Sequence, residues 1–330
     1  MAARRARRSS SSSPRPEGAK ASRPSRRWSG PDWGLVGLAV VGAVVGTGAL
    51  ALVWPKPDRS VALREEITAE TLAPKPRDSI TVLVIGSDAE SLAAATNKAA
   101  PEGPANSDTL LLVRVNRKGP LQVLQLPSEL ALSLPGRSEP VALGEVYRQG
   151  GVRLTREVVR ELLDLKDEVP ERFVVVPRQS LRTLVDGIGG VEVSPPRRMV
   201  YKDKSQGYAI DLQSGLQRLS GAKVEQLVRH RDKWLGESGR RANQQVVLEG
   251  LREQLTQPGQ PAQLPALVST WSSQVETNLS PREMLSLLAS ALDNPAPMQV
   301  QTLPLKPATK EFSALRQLEP NAPRPLWPKP

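Results

Sequence analysis

Residues 110–126 read LLLVRVNRKGPLQVLQL, two apolar runs separated by Asn116-Arg117-Lys118-Gly119-Pro120. Leu- and Val-rich runs joined by a short polar linker with a glycine near its end predict two strands folded into an antiparallel hairpin. Upstream, ITVLVI at 80–85 has the β-branched character of a third strand. Downstream the period changes. Val158, Val159, Leu162 and Leu163 recur at helical spacing behind Thr155, a candidate cap, and FVVV at 173–176 reads as a buried strand. A helix over 181–185 runs into Gly187-Ile188-Gly189-Gly190, a tight turn before a short strand at 191–193. Further helices are predicted from Ser220-Gly221 through Val228, over 242–255, over 262–271 and over 281–292, with a last strand at 298–303. Strands mixed with helices in this way predict an α/β domain. The glycines at 187–190 spell no dinucleotide fingerprint, and no phosphate-loop motif occurs in the chain.

The 330 residues include no Cys, which excludes disulfides, thiolate nucleophiles, Cys-ligated zinc and Fe–S clusters. The single histidine, His230, excludes a multi-histidine metal centre. Six Trp, three Tyr and two Phe are too few for a base-stacking platform, and they leave the core to aliphatic residues. The net charge is +11, yet residues 1–33 hold nine basic residues against two acidic ones, so the remainder is only mildly basic. No specific nucleic-acid partner is expected.

Residues 35–54, LVGLAVVGAVVGTGALALVW, carry no charge over a length that spans a bilayer's hydrocarbon. The basic segment ahead of them predicts a single-pass protein with its N-terminus in the cytoplasm and its main domain outside, on the periplasmic or cell-wall side. A cleaved signal peptide is the weaker alternative, because the apolar run exceeds the usual length of a signal core. The organisation expected is a basic disordered tail (1–33), a transmembrane helix (34–54), a proline-containing stalk (55–78), a folded domain (79–305) and a Pro-rich tail (306–330).

Asp88 follows the first strand and Asp108 directly precedes the second, so antiparallel pairing puts both carboxylates at one sheet edge. The hairpin returns the third strand to that edge at Pro127-Ser128-Glu129. The linker between the two aspartates is nearly twenty residues long, and long loops in compact domains are commonly functional. Singly, each acid also reads as a turn or capping residue. A second group is Arg229-His230-Arg231, whose arginines share a face if the segment is extended and diverge if it is helical. Gly239-Arg240 lies just ahead of the helix predicted at 242, where free backbone N–H groups favour an anion. Guanidinium forks match phosphate oxygens, so three arginines beside carboxylates suit a magnesium-pyrophosphate ligand. Arg241 reads as a solvated basic turn and His230 as a surface or helix-end residue.

Taken in order, these segments resemble the LytR-CpsA-Psr family of membrane-anchored bacterial phosphotransferases. The residues that carry the resemblance are Ile85-Gly86-Ser87-Asp88, Ser107-Asp108-Thr109, Tyr147-Arg148-Gln149-Gly150-Gly151, Leu184-Val185-Asp186-Gly187-Ile188-Gly189-Gly190-Val191, Leu219-Ser220-Gly221, Arg229-His230-Arg231, and Gly239-Arg240 with Gln244-Gln245. The resemblance implies a mixed central sheet between helices and an apolar cavity for a polyprenyl chain. It also implies transfer of a glycopolymer from a polyprenyl-pyrophosphate carrier to a peptidoglycan hydroxyl at the membrane, with release of polyprenyl phosphate. Carried over to this chain, Asp88 and Asp108 would hold Mg²⁺, Arg229, Arg231 and Arg240 would bind phosphates, and Leu181, Leu184 and Leu227 would line the lipid cavity. Glu129 would be the base, completing a catalytic set with Asp88, Asp108 and Arg231. Asn106, Ser128 and Asn243 stand where the family pattern has arginine, and Glu129 and Glu237 where it has aspartate. These departures thin the phosphate clamp, so the alternatives are a carrier-binding protein with weak or no turnover and an envelope-related transcriptional attenuator.

Overall fold

The central strands are those with apolar residues on both faces. In the computed structural model, which describes residues 67–94, 103–166, 168–203, 208–307, 315–322 and 326–327, Ile80–Ser87 (β1) pairs antiparallel with Ser107–Val115 (β2). β2 turns back into Gln122–Gln125 (β3), also antiparallel, as the 110–126 reading required. The predicted basic tail, the membrane span and residues 55–66 of the stalk lie outside the described residues. Among the described residues no helix is long and apolar enough to cross a membrane.

A two-stranded ribbon, Ala131–Leu132 (β4) with Val141–Ala142 (β5), leads into the helix Leu143–Leu163 (α1). Gly151 breaks that helix at φ 61° and ψ −156°, a conformation open essentially to glycine alone. Thr155 does not cap a helix start as expected. It is fully buried in the second segment, and its hydroxyl donates back to the Gly151 carbonyl at 2.8 Å.

Arg172–Val176 (β6) runs parallel to β1 and is followed at once by Arg178–Gly187 (α2). The predicted turn then gives Val191–Val193 (β7), Met199–Asp203 (β8), Tyr208–Leu212 (β9) and Gln217–Leu219 (β10), paired as two small antiparallel ribbons. Gly221–Arg229 (α3), Gly236–Leu255 (α4) and Gln260–Trp271 (α5) follow. Glu276–Thr277 (β11), Pro281–Asp293 (α6) and Gln299–Thr302 (β12) complete the domain.

The six-stranded sheet runs β11-β6-β1-β2-β3-β12, with parallel pairs β1–β6 and β3–β12 among antiparallel ones. Leu83 and Ile85 of β1 pack with Val158, Val159 and Leu163 of α1, whereas Val82 and Val174 pack with Val268 of α5 and Met284 of α6. A mixed sheet between helices is therefore the architecture, and burial on both faces explains why β1 and β2 show no clean polar alternation. A third cluster joins Val185, Val191, Leu227 and Val247 among α2, β7, α3 and α4.

Packing continues past residue 305. The Arg316 N–H donates to the Glu129 carbonyl at 2.8 Å, and the Ala131 N–H donates to the Arg316 carbonyl at 2.7 Å. Trp327 is buried, with the Arg114 guanidinium 4.6 Å from its ring centroid. Backbone pairing at Arg316 and an aromatic seat for Trp327 thus tie parts of the Pro-rich tail to the domain.

Candidate active site

Because β6 is parallel to β1 and β2 antiparallel to it, Asp88, Asp108 and Arg178 arrive at one sheet edge. Behind that edge lies a cavity of about 290 Å³ walled by Val84, Leu111, Leu181, Leu184, Val247 and Leu251, with Asp88, Asp108, Arg178, Glu225 and Arg229 also in its wall. Val84 lies inside β1 and Asp88 one residue past its end, so charge gathers toward the edge and aliphatic surface runs down the strand. Asp88 also closes the long β1–β2 loop. Its N–H donates to the Asn106 carbonyl at 3.1 Å, and its Oδ1 accepts from the Asn106 N–H at 2.9 Å.

A second, polar cleft of about 740 Å³ is walled by Asn106, Asp108, Glu129, Arg231, Trp234 and Glu237, among others. Asp108 belongs to both walls. The predicted convergence of three acids therefore resolves into two sites that share one residue: Asp88 with Asp108 in the apolar cavity, and Glu129 with Asp108 in the polar cleft. Glu129 is buried and its Oε1 accepts from Arg241, while its Oε2 has no partner among the described residues. Arg241, expected in a solvated turn, is thus the anchor of the candidate base.

The seam between the cavities is Arg240, only 2% exposed. It donates to Asp108 Oδ1 at 2.8 Å and to Ser128 Oγ at 2.9 Å, and lies 2.6 Å from Glu237 Oε2. Burial opposes its charge, but the carboxylates of Asp108 and Glu237 outweigh this and raise its pKa above the ordinary arginine value. Arg240 is in the wall of neither cavity, and its guanidinium is committed to Asp108, Glu237 and Ser128, where it orients the shared acid. The helix start is corrected. Asp232 Oδ1 accepts from the N–H groups of Trp234 and Leu235 at 2.7 and 3.1 Å, so α4 begins at Gly236 and Arg240 sits inside it.

Arg229 and Arg231 part company. Arg229 ends α3, lies over the Tyr208 ring at 4.4 Å and donates to Glu225 at 3.2 Å. His230 is extended, and Arg231 turns to Glu237 at 2.7 Å in the polar cleft. Leu181 and Leu184 line the apolar cavity as expected, but Leu227 is fully buried in the α2–α3–α4 core and its neighbour Val228 reaches the cavity. One step along a helix rotates the side chain by about 100°, which is enough to move it off the wall.

The ordered motifs and the mixed sheet with its two cavities agree with a wider likeness. The LytR_cpsA_psr family model matches residues 56–322. The chain belongs to this family. The probable cell wall biosynthesis protein LcpB of Corynebacterium glutamicum is 27% identical over 157 residues, 48% of this chain and 36% of LcpB. The regulatory protein MsrR of Staphylococcus aureus is 24% identical over 205 residues, 61% of this chain and 56% of MsrR. The polyisoprenyl-teichoic acid–peptidoglycan teichoic acid transferase TagU of Bacillus subtilis is 26% identical over 223 residues, 65% of this chain and 67% of TagU. The chain thus matches about a third of LcpB and just over half of MsrR. The crystal structure of B. subtilis TagV shares the fold, with a TM-score of 0.60 at 19% identity, covering 76% of this chain and 94% of that one.

In this LytR-CpsA-Psr chain several shared motifs serve packing. Asp186 Oδ1 accepts from the Gly221 N–H at 2.7 Å at the start of α3, and a Cβ on Gly221 would stand 2.4 Å from the Arg182 carbonyl oxygen. Gln244 reaches the Asp108 and Val228 carbonyls at 3.5 and 3.4 Å, tying α4 to both cavity walls. Among the described residues no group of three or more His, Cys, Asp or Glu suits a metal. Asp88 and Asp108 nevertheless place two carboxylates, hard-oxygen donors, on one wall. Mg²⁺ commonly takes one or two carboxylates and completes its shell with water and substrate phosphates, so the pair fits it.

Proposed function

We propose that this chain is a membrane-anchored phosphotransferase of the outer cell envelope that moves a glycopolymer from a polyprenyl-pyrophosphate carrier to a peptidoglycan hydroxyl. The observation that carries it is Asp108, held by Arg240 in a wall common to an apolar cavity and a polar cleft. The prenyl chain occupies the aliphatic cavity with its pyrophosphate at the charged end, beside Asp88, Asp108 and Arg229. The acceptor saccharide occupies the polar cleft, with the exposed Trp234 ring at its rim. Glu129 takes the proton of the acceptor hydroxyl through its unpartnered Oε2. The acceptor oxygen then bonds to the phosphorus that carries the glycopolymer, the bridging P–O bond of the pyrophosphate breaks, and polyprenyl phosphate leaves. Mg²⁺ on Asp88 and Asp108, when bound, neutralises phosphate charge. Membership of the family, the printed names of LcpB and TagU, and the apolar run at 35–54 support this reading.

Asn106, Ser128 and Asn243 and the closed-in Arg240 favour a second reading, a carrier-binding protein without turnover. The test is transfer from a lipid-linked saccharide to peptidoglycan fragments by the full chain, with and without Mg²⁺. Asp108→Ala and Glu129→Gln are expected to lower transfer by about 100-fold or more. Equal turnover in both variants and wild type overturns the proposal, and carrier binding with no transfer by wild type selects the second reading.

A further inference from the structure

Of the three arginines expected to clamp phosphate, only Arg229 reaches the apolar cavity. Arg231 belongs to the other cleft and Arg240 is enclosed by Asp108, Glu237 and Ser128. One guanidinium is a thin match for a pyrophosphate, whose two phosphates offer more acceptor oxygens than a single fork can fill.

The sheet topology supplies another. β1 and β6 are parallel with Gly86 opposite Val176, and the Arg178 N–H donates to the Ala89 carbonyl at 3.0 Å, so Arg178 stands beside Asp88. Arg178 lines the same cavity as Asp88, Asp108 and Arg229. Glu225, 5% exposed, accepts from Arg178 and Arg229 on one oxygen, both at 3.2 Å, and from Arg182 on the other. Glu90 pairs with Arg178 and Arg182 from outside. Within this ion network two carboxylates meet three guanidiniums, so Arg178 and Arg229 are not fully spent on Glu225 and Glu90, while Asp88 and Asp108 stand in the same cavity wall. The Arg178 Nε is buried and finds no partner among the described residues, so this side chain keeps donor capacity.

We infer that Arg178, held with Arg229 on Glu225, is a phosphate-binding residue of the apolar cavity, and that the pair grips the pyrophosphate of a prenyl carrier. The inference rests on the proposed occupancy of that cavity. Arg182 belongs to the same ion network but does not line the cavity, which makes it the control.

The experiment is calorimetric titration of the full chain in detergent with farnesyl pyrophosphate and with farnesol, which shares the prenyl chain but carries no phosphate. Arg178→Gln is expected to lower farnesyl pyrophosphate affinity about tenfold or more, the worth of a charge-assisted contact. Farnesol binding should stay at the wild-type value, and Arg182→Gln, which removes a neighbour on Glu225 but no group from the cavity wall, should cost less pyrophosphate affinity than Arg178→Gln. Unchanged pyrophosphate affinity in Arg178→Gln overturns the inference while leaving the cavity's proposed role intact, as does wild-type protein that binds the two ligands equally. Wild-type protein that binds neither ligand overturns both. If Arg178→Gln loses both ligands, Arg178→Lys decides: recovered preference for the pyrophosphate over farnesol supports the inference, and no recovery overturns it.

Discussion

The two cavities that meet at Asp108 are built from different material. The apolar one draws its walls from β1, β2, β6 and the helices α2, α3 and α4, so its shape is fixed by ladders and packed cores. Much of the polar cleft comes from connections, at Asn106, 128–129, 231–235 and the incoming Arg316, with the start of β2, Ala142 of β5 and the first turns of α1 and α4 supplying the rest. Regular elements hold side chains more precisely than loops do, whereas loops change without disturbing the scaffold. The division suits a reaction in which a repetitive prenyl chain needs one unvarying slot and saccharide partners need adjustable contacts.

The largest expected effect comes from cutting the seam. Arg240→Met leaves Asp108 and Glu237 without their shared buried cation. Such a loss costs about 3 kcal/mol, the low end for breaking a buried pair, because both carboxylates keep partial water contact. Urea unfolding of the full chain measures it. A loss below about 1 kcal/mol, the value of a surface pair, would mean that the two walls are not coupled through this residue.

How much of this was legible follows the same division. The strands of the apolar cavity announce themselves through β-branched runs, and the 110–126 hairpin through a local turn. Asp88 and Asp108 could be brought together because their strands are antiparallel neighbours. Arg178 could not, since the parallel pairing of β1 with β6 is a long-range choice that no local pattern records. The cleft was read less well. Gly236, Ser238 and Gly239 look like turn residues, yet Asp232 starts the helix ahead of them, which moved Arg240 from a helix entrance into a buried ion network. Arg241 and Glu129 are 112 positions apart, and nothing in either neighbourhood signals their contact. The ribbon β7–β10 pairs two three-residue strands that are not neighbours in the chain, and β8–β9, though consecutive, are only five residues each.

A middle-sized effect sharpens the contrast from the cleft side. Trp234 is 84% exposed on a connection, so its removal leaves the core untouched. If its ring stacks on an acceptor sugar, Trp234→Ala costs about 1–2 kcal/mol of acceptor binding, as truncating an aromatic anchor does. Acceptor KM then rises about five- to thirtyfold, while carrier KM and thermal stability hold. A matching rise in carrier KM would break the assignment of one substrate to each cavity.

The smallest effect concerns His230, the single residue between the arginine of one cavity and the arginine of the other. Burial lowers its pKa below the ordinary 6.5; the Asp232 carboxylate works against this and Arg197 reinforces it. With the folded value below the unfolded one, the unfolded chain binds more protons in the interval between them. Stability from keeping His230 neutral is therefore full above the unfolded value of 6.5 and drains away as pH falls toward the folded value. His230→Gln removes that proton uptake while keeping a polar side chain. Comparing urea midpoints at about pH 7.5 and about pH 5.5, wild type should lose more stability than His230→Gln, since only wild type pays protonation linkage there. Equal losses would show that the extended link between Arg229 and Arg231 bears no burial cost, and that the two arginines diverge without the histidine between them being held.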